Sequence, residues 1–242
     1  MKIYVGCSGF YYNDWKEKFY PPDLPKKQWL EFYSAKLNTV EINNTFYRIP
    51  AENSFSKWYA QTPVDFRFTV KGNRYITHMK KLKQDNELRK RIENFENLAL
   101  KLKEKLGCIL WQLPGNLRKN KEKLSTFCHL LNKDIHHVLE FRDKSWFDEE
   151  VYEILSSNKV SYCMLSAPGD LPENILSTSE IAYVRFHGKT DWYNYNYSRD
   201  ELEKWKNGLL KLKATELYAY FNNDHNAYAA SNSIEFSDML KD

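Results

Sequence analysis

Val138-Leu139-Glu140-Phe141-Arg142 sets a carboxylate and a guanidinium two residues apart, with apolar residues alternating between them. Successive side chains of a strand point to opposite faces, so Glu140 and Arg142 share one face and Leu139 and Phe141 the other. Val184-Arg185-Phe186-His187 and Val40-Glu41-Ile42-Asn43 repeat the pattern. Burying charge is costly unless it is paired or put to use. Three such strands in one small protein indicate a polar interior that opens at the strand ends.

Working outward from these segments, eight strands are predicted at 3–8, 39–46, 66–71, 108–113, 137–142, 161–166, 182–187 and 217–222. Helical patterns fall between most of them, at 26–37, 85–105, 119–131, 147–157, 199–213 and 226–240. Pro25 opens the first of these, and Asp85 is the expected N-cap of the second. Alternating strands and helices indicate a parallel sheet of βα units. Eight units in 242 residues match the size of a (β/α)8 barrel, so residues 1–242 are expected to form one TIM-like barrel domain. The link 167–180 contains Pro168, Gly169 and Pro172 and shows no helical pattern. Segment 9–25 is a long aromatic insertion of the kind that sits on the active face of a barrel. Gly6 and Gly9 are expected to permit a tight turn after the first strand.

Charged residues at 28% and hydrophobic ones at 42% indicate a globular chain, and 17 Tyr, 14 Phe and 7 Trp imply a core built largely from rings. No stretch reaches the roughly 18 apolar residues of a membrane span, and the first residues lack a signal-peptide core. Cys7, Cys108, Cys128 and Cys163 are scattered without a Cys-x-x-Cys pair, which fits packed reduced thiols and a cytoplasmic location. The net charge of +4 is uneven. Residues 71–123 carry 15 Lys or Arg against 6 Asp or Glu, a local balance of +9, and the remainder 21 against 26. That basic third is either solvated helix surface or a face for a polyanion.

Strand parity assigns the inward set. It comprises Glu41 and Asn43; Arg67, Thr69 and Lys71; Gln112 if Trp111 faces out; Glu140 and Arg142; Arg185 and His187; and Asn222. Ligand groups in this fold gather at the C-terminal strand ends. Asn43, Lys71, Gln112, Arg142, His187 and Asn222 fall there, with Glu41, Glu140 and Arg185 one layer deeper. The deeper layer is equally compatible with an internal ion-pair network, for instance Glu140 with Arg185. Four cations against two carboxylates favour a small anionic ligand such as a phosphate or carboxylate. Glu41, Glu140 and His187 are the expected proton-transfer groups. After the seventh strand, Trp192-Tyr193-Asn194-Tyr195-Asn196-Tyr197 reads as an aromatic ribbon. Tyr193 and Tyr195 would either stack on a ligand or pack on Trp15, Phe19 and Tyr20. Asp224 or Asn226 is the expected N-cap of the last helix. Glu41, Glu140, His187, Asp224 and His225 lack a metal-ligand spacing such as His-Glu-x-x-His, so no metal site is expected and no cofactor is assigned.

Taken together, Gly6-Cys7-Ser8-Gly9-Phe10 with Trp15 and Phe19-Tyr20-Pro21, Thr39 to Tyr47, Phe66 to Lys71, Trp111-Gln112-Leu113-Pro114, Glu140-Phe141-Arg142 with Ser145-Trp146, Tyr183 to Gly188, the three alternate tyrosines and Phe221-Asn222-Asn223 resemble the YecE-like family, domain of unknown function 72. The resemblance runs nearly end to end. It implies a TIM-like barrel of the broad class that includes sugar isomerases and abasic-site endonucleases, and it implies no particular activity. The leading expectation is an enzyme acting on a small phosphorylated or otherwise anionic substrate. The alternatives are a nucleic-acid-binding protein or metal-dependent nuclease using the basic 71–123 face, and a non-catalytic ligand-binding protein on the same barrel. No membrane partner is expected.

Overall fold

Eight parallel strands close on themselves in sequence order in the computed structural model, which describes residues 1–241. They are β1 (Lys2–Cys7), β2 (Thr39–Ile42), β3 (Arg67–Lys71), β4 (Leu106–Gln112), β5 (His137–Glu140), β6 (Ser161–Ser166), β7 (Ile181–Phe186) and β8 (Glu216–Phe221). β8 pairs with β1 from Lys2↔Glu216 to Cys7↔Phe221 and closes the ring. Outside lie α1 (Trp29–Ser34), α2 (Asn44–Tyr47), α3 (Glu52–Ala60), α4 (Asn86–Ala99), α5 (Lys121–Leu130), α6 (Glu149–Ser157), α7 (Arg199–Leu209) and α8 (Tyr228–Met239). Residues 167–180 contain no helix. Among the described residues no helix is long and apolar enough to cross a membrane.

Local chemistry accounts for most of these boundaries. Asp85 accepts from Leu88 N at 2.8 Å and caps α4 as its sequence predicts. Ser198 and Glu201 form a reciprocal capping box at the start of α7. Gly9 has φ +109°, and a Cβ on Gly6 would lie 1.9 Å from the Thr39 carbonyl oxygen, so both glycines are needed for the chain to leave β1 beside β2.

Three expectations are corrected. β2 ends at Ile42 rather than Phe46, because Thr45 Oγ1 donates to the carbonyls of Ile42 (3.1 Å) and Lys71 (2.6 Å) and folds the chain into α2. Neither Asp224 nor Asn226 caps α8. The N-cap is Ala227 in the left-handed region, while Asn226 accepts from Lys18 Nζ at 2.7 Å. The sequence pattern also leaves out α3 and one turn of π-helix, Tyr75–Met79, after β3.

Strand alternation divides the core in two. Outward residues such as Val40, Phe68, Trp111, Leu139 and Phe186 pack on the helices, and Trp111 does face out. Inward residues form a separate cluster around Tyr4, Cys108, Leu110, Val138, Cys163, Tyr183, Tyr218 and Tyr220. All four cysteines are free and buried. At the bottom of the barrel Tyr4 stacks on Tyr218 at 4.7 Å, with Arg67 over Tyr4 at 5.7 Å. Arg67 therefore plugs the floor and leaves the count of cations at the mouth.

Candidate functional site

Above the floor the barrel becomes a ladder of polar contacts. Tyr220 Oη lies 2.6 Å from Thr39 Oγ1 and 2.9 Å from Thr69 Oγ1. One layer higher, Tyr183 Oη donates to Glu41 Oε2 at 2.6 Å. Arg185 then bridges the barrel, donating from Nη2 to Glu41 Oε1 (2.7 Å) and from Nη1 to Glu140 Oε2 (2.5 Å). The second oxygen of Glu140 accepts from Arg142 Nε. Arg142 Nη2 is 2.9 Å from His187 Nε2, and His187 Nδ1 is 3.0 Å from the Asn222 amide. Glu41, Glu140, Arg142, Arg185, His187 and Asn222 thus form one network in the upper barrel; β5 ends at Glu140 rather than at residue 142, so Arg142 enters it from just beyond the strand.

The network reassigns several roles. Arg185 has both Nη groups engaged by carboxylates, so it braces the barrel rather than gripping a ligand. Its Nε is buried without a partner. Arg142, Arg185 and Lys71 hold the Glu140 carboxyl down at about 2 against the cost of burial, so it is a fixed anion and a poor proton acceptor near neutral pH. His187 is pushed well below its ordinary value by burial and by the same three cations. Arginine can only donate, so His187 Nε2 must be the acceptor and Nδ1 must carry the proton. A neutral imidazole with both nitrogens occupied orients Arg142, and the acid–base role expected for it is withdrawn.

Lys71 differs from these. Among the described residues its Nζ has no carboxylate or hydrogen-bond partner and lies over the Phe46 ring, 4.4 Å from the centroid. The residue is half-buried. Burial and the nearby guanidinium groups lower it to about 8 although Glu140 and Glu41 pull the other way. Asn43 donates to the Ser8 carbonyl at 3.1 Å, and its Oδ1 is buried with no partner. Gln112 stands beside Glu140 in the β4–β5 register.

The aromatic ribbon divides. Tyr193 is 45% exposed and meets His187 edge-on at 6.1 Å, so it reaches the mouth. Tyr195 does not, because its hydroxyl donates to Glu201 of α7 at 2.7 Å and its ring packs on Tyr197. Packing on Trp15, Phe19 and Tyr20 is not realised. Trp15 donates to the Asp224 carbonyl and Tyr20 stacks on Trp29, while Tyr197 packs on Phe186 and Phe221. Two members of the site carry no parity signal. Trp192 lies 4.7 Å from the Arg142 guanidinium, and His78, in the π-helical turn, meets Phe46 edge-on at 4.9 Å. Only the unusual density of rings around them marks these positions in the sequence.

The basic 71–123 stretch carries local counter-ions. Lys80 holds Asp85 and Glu87, Arg91 holds Glu87, Lys101 holds Glu52, Lys119 holds Asp148 and Lys121 holds Glu150. Among the described residues no three His, Cys, Asp or Glu side chains converge as metal ligands. A cleft of about 560 Å³ between the β1 loop, α1 and α3 is lined by Phe10, Tyr12, Leu30, Trp58 and Gln61 and shares Asn43 with the mouth. Its charged members are Lys26 and Lys27, so the titratable chemistry lies in the barrel mouth.

A family model described as "Protein of unknown function DUF72" matches residues 4–242. The UPF0759 protein YunF of Bacillus subtilis (strain 168) is 29% identical, over 98% of this chain and 94% of its own length. The crystal structure of a DUF72 family protein from Thermotoga maritima MSB8 superposes with a TM-score of 0.91 at 32% identity, covering 100% of both chains. D-psicose 3-epimerase, solved in the presence of D-fructose, covers 99% of both chains with a TM-score of 0.59 at 10% identity, a likeness of fold alone.

Proposed function

The chain belongs to the DUF72 family, and from that premise we propose that it is a barrel enzyme acting on a small phosphorylated or otherwise anionic substrate held at the C-terminal mouth. The observation that carries this reading is the half-buried Lys71 amine, which among the described residues forms no ion pair with a carboxylate. Arg185 and Arg142 are balanced by Glu41 and Glu140, and His187 is neutral, so the excess positive charge of the mouth rests on Lys71. Two unit charges about 4 Å apart attract by about 4 kcal/mol at a partly screened dielectric, enough to make an anion the preferred occupant. Arg142, with 13% of its side chain exposed, contributes its outer edge, and Gln112, Asn222 and Tyr193 complete the wall.

Calorimetric titration with inorganic phosphate tests the reading. Lys71→Met is expected to weaken binding at least tenfold, since hydrogen bonds to a charged group contribute about 1.5–3 kcal/mol. Equal affinity in the wild type and this variant would refute it.

A further inference from the structure

Lys105 is buried and Lys71 half-buried, and the two are built differently. Lys105 sends its Nζ to the carbonyls of Tyr59 and Thr62, each at 2.6 Å, and to Thr62 Oγ1 at 3.2 Å, so every donor is used. Among the described residues Lys71 uses none of its donors on a protein oxygen, yet its position is fixed from several sides. Thr45 Oγ1 donates to its carbonyl at 2.6 Å. The next residue, Gly72, donates to the Leu110 carbonyl at 2.8 Å, and a Cβ there would lie 2.2 Å from Trp111. The Phe46 face carries the amine, and His78 backs that ring edge-on. A lysine kept only for charge balance would take a carboxylate, as both neighbouring arginines do. An amine held in place at a strand end with a free coordination sphere suits bond formation instead.

We infer that Lys71 is a nucleophile that forms an imine with the carbonyl carbon of its substrate, and that the substrate class is a small anion bearing an aldehyde or ketone group, such as a phosphorylated aldehyde or a 2-oxo acid. This deepens the anion-site reading above and rests on it. The neutral amine adds to the carbonyl carbon, forming a C–N bond while the carbonyl π electrons move to oxygen. The oxygen takes a proton, the nitrogen gives one up, and a second protonation of the oxygen releases water. The product is a protonated imine, reached by consuming one proton and expelling one water, with nothing oxidised or reduced. Its positive charge stays where the ammonium was, so Glu140 and Glu41 still face a cation. Arg142 remains for the anionic group. Arg142 and Arg185 favour the neutral amine, while Glu140 and Glu41 oppose them; His78 flanks the site from the π-helical turn. With the amine lowered to about 8, its reactive fraction at pH 7 exceeds that of an ordinary lysine on the order of a hundredfold.

The test is reductive trapping with glyoxylate and borohydride on the intact protein at neutral pH, read by peptide mass. Limiting glyoxylate is expected to put one carboxymethyl group on Lys71 in large preference to surface lysines and to Lys105, with a rate that levels off above about pH 8. Lys71→Arg is expected to lose the trapped adduct while labelling of the surface lysines is unchanged. Labelling spread over surface lysines without preference for Lys71 would overturn the inference while leaving the anion site intact. Selective Labelling of Lys71 that phosphate fails to slow would uphold the nucleophile and remove the anion site beneath it.

Discussion

Glu140 shows how far one residue's role depends on its neighbours. It is fully buried and accepts from both Arg185 and Arg142. Replacing one member of such a cluster strands the others as uncompensated buried charge. Glu140→Gln is therefore expected to cost about 3–5 kcal/mol in chemical denaturation. A cost below about 1 kcal/mol would mean that the two arginines find other partners. Tyr183→Phe removes one donor to the buried Glu41 carboxylate and leaves the arginines paired, and its expected cost is about 1.5–3 kcal/mol. Alternation in the sequence makes the inward direction of Glu41, Glu140 and Arg185 legible. It does not show that these three hold one another, so Arg185 reads equally as a ligand grip and as a brace.

At the scale of elements, legibility follows how local the determining interaction is. The α4 N-cap is readable because Asp85 bonds to Leu88 three residues on. Helix α3 is not, because it is only nine residues long and buries just Phe55 fully, with Trp58 half-buried beside it. The π-helical turn after β3 has no local signature either. Ser198→Ala should destabilise α7 by about 1 kcal/mol through loss of its capping box, measured as a lower denaturation midpoint. Gly6→Ala should be far worse, since its Cβ would collide with the Thr39 carbonyl and force β1 from β2. Soluble, cooperatively folding Gly6→Ala protein would show that this edge of the barrel can open without consequence.

The whole molecule couples these groups to pH. His187 and His78 are held below their ordinary values, and His137 is pushed down to about 3. Each therefore contributes stability that is fully present above about pH 6.5 and declines as acid protonates the unfolded chain first. Glu140, at about 2, adds a second loss once pH falls below about 4.3. Glu96, raised to about 7, and Asp224, also raised, act in the opposite sense. Three imidazoles outweigh two carboxyls, so the denaturation midpoint should fall from pH 7.5 to pH 5 and fall faster below pH 4.5. A midpoint that rises on acidification to pH 5 would contradict these assignments. The four buried thiols give a second global readout. Cys7 and Cys128 are pushed up to about 12 and the other two well above the ordinary value, so all four should react with a disulfide reagent only on unfolding.

The alternation of strands with helices and the inward face of each strand are set by the sequence alone, because the period of two and the helical period are local properties of the chain. Which charges neutralise one another is decided only by tertiary structure. Arg185 meets Glu41 across 144 positions of sequence and Glu140 across 45, through the register of separate strands around a closed ring. No local pattern encodes that register. Among the described residues the same closure leaves Lys71 without an ion-pair partner, although it faces the same barrel mouth as the paired arginines.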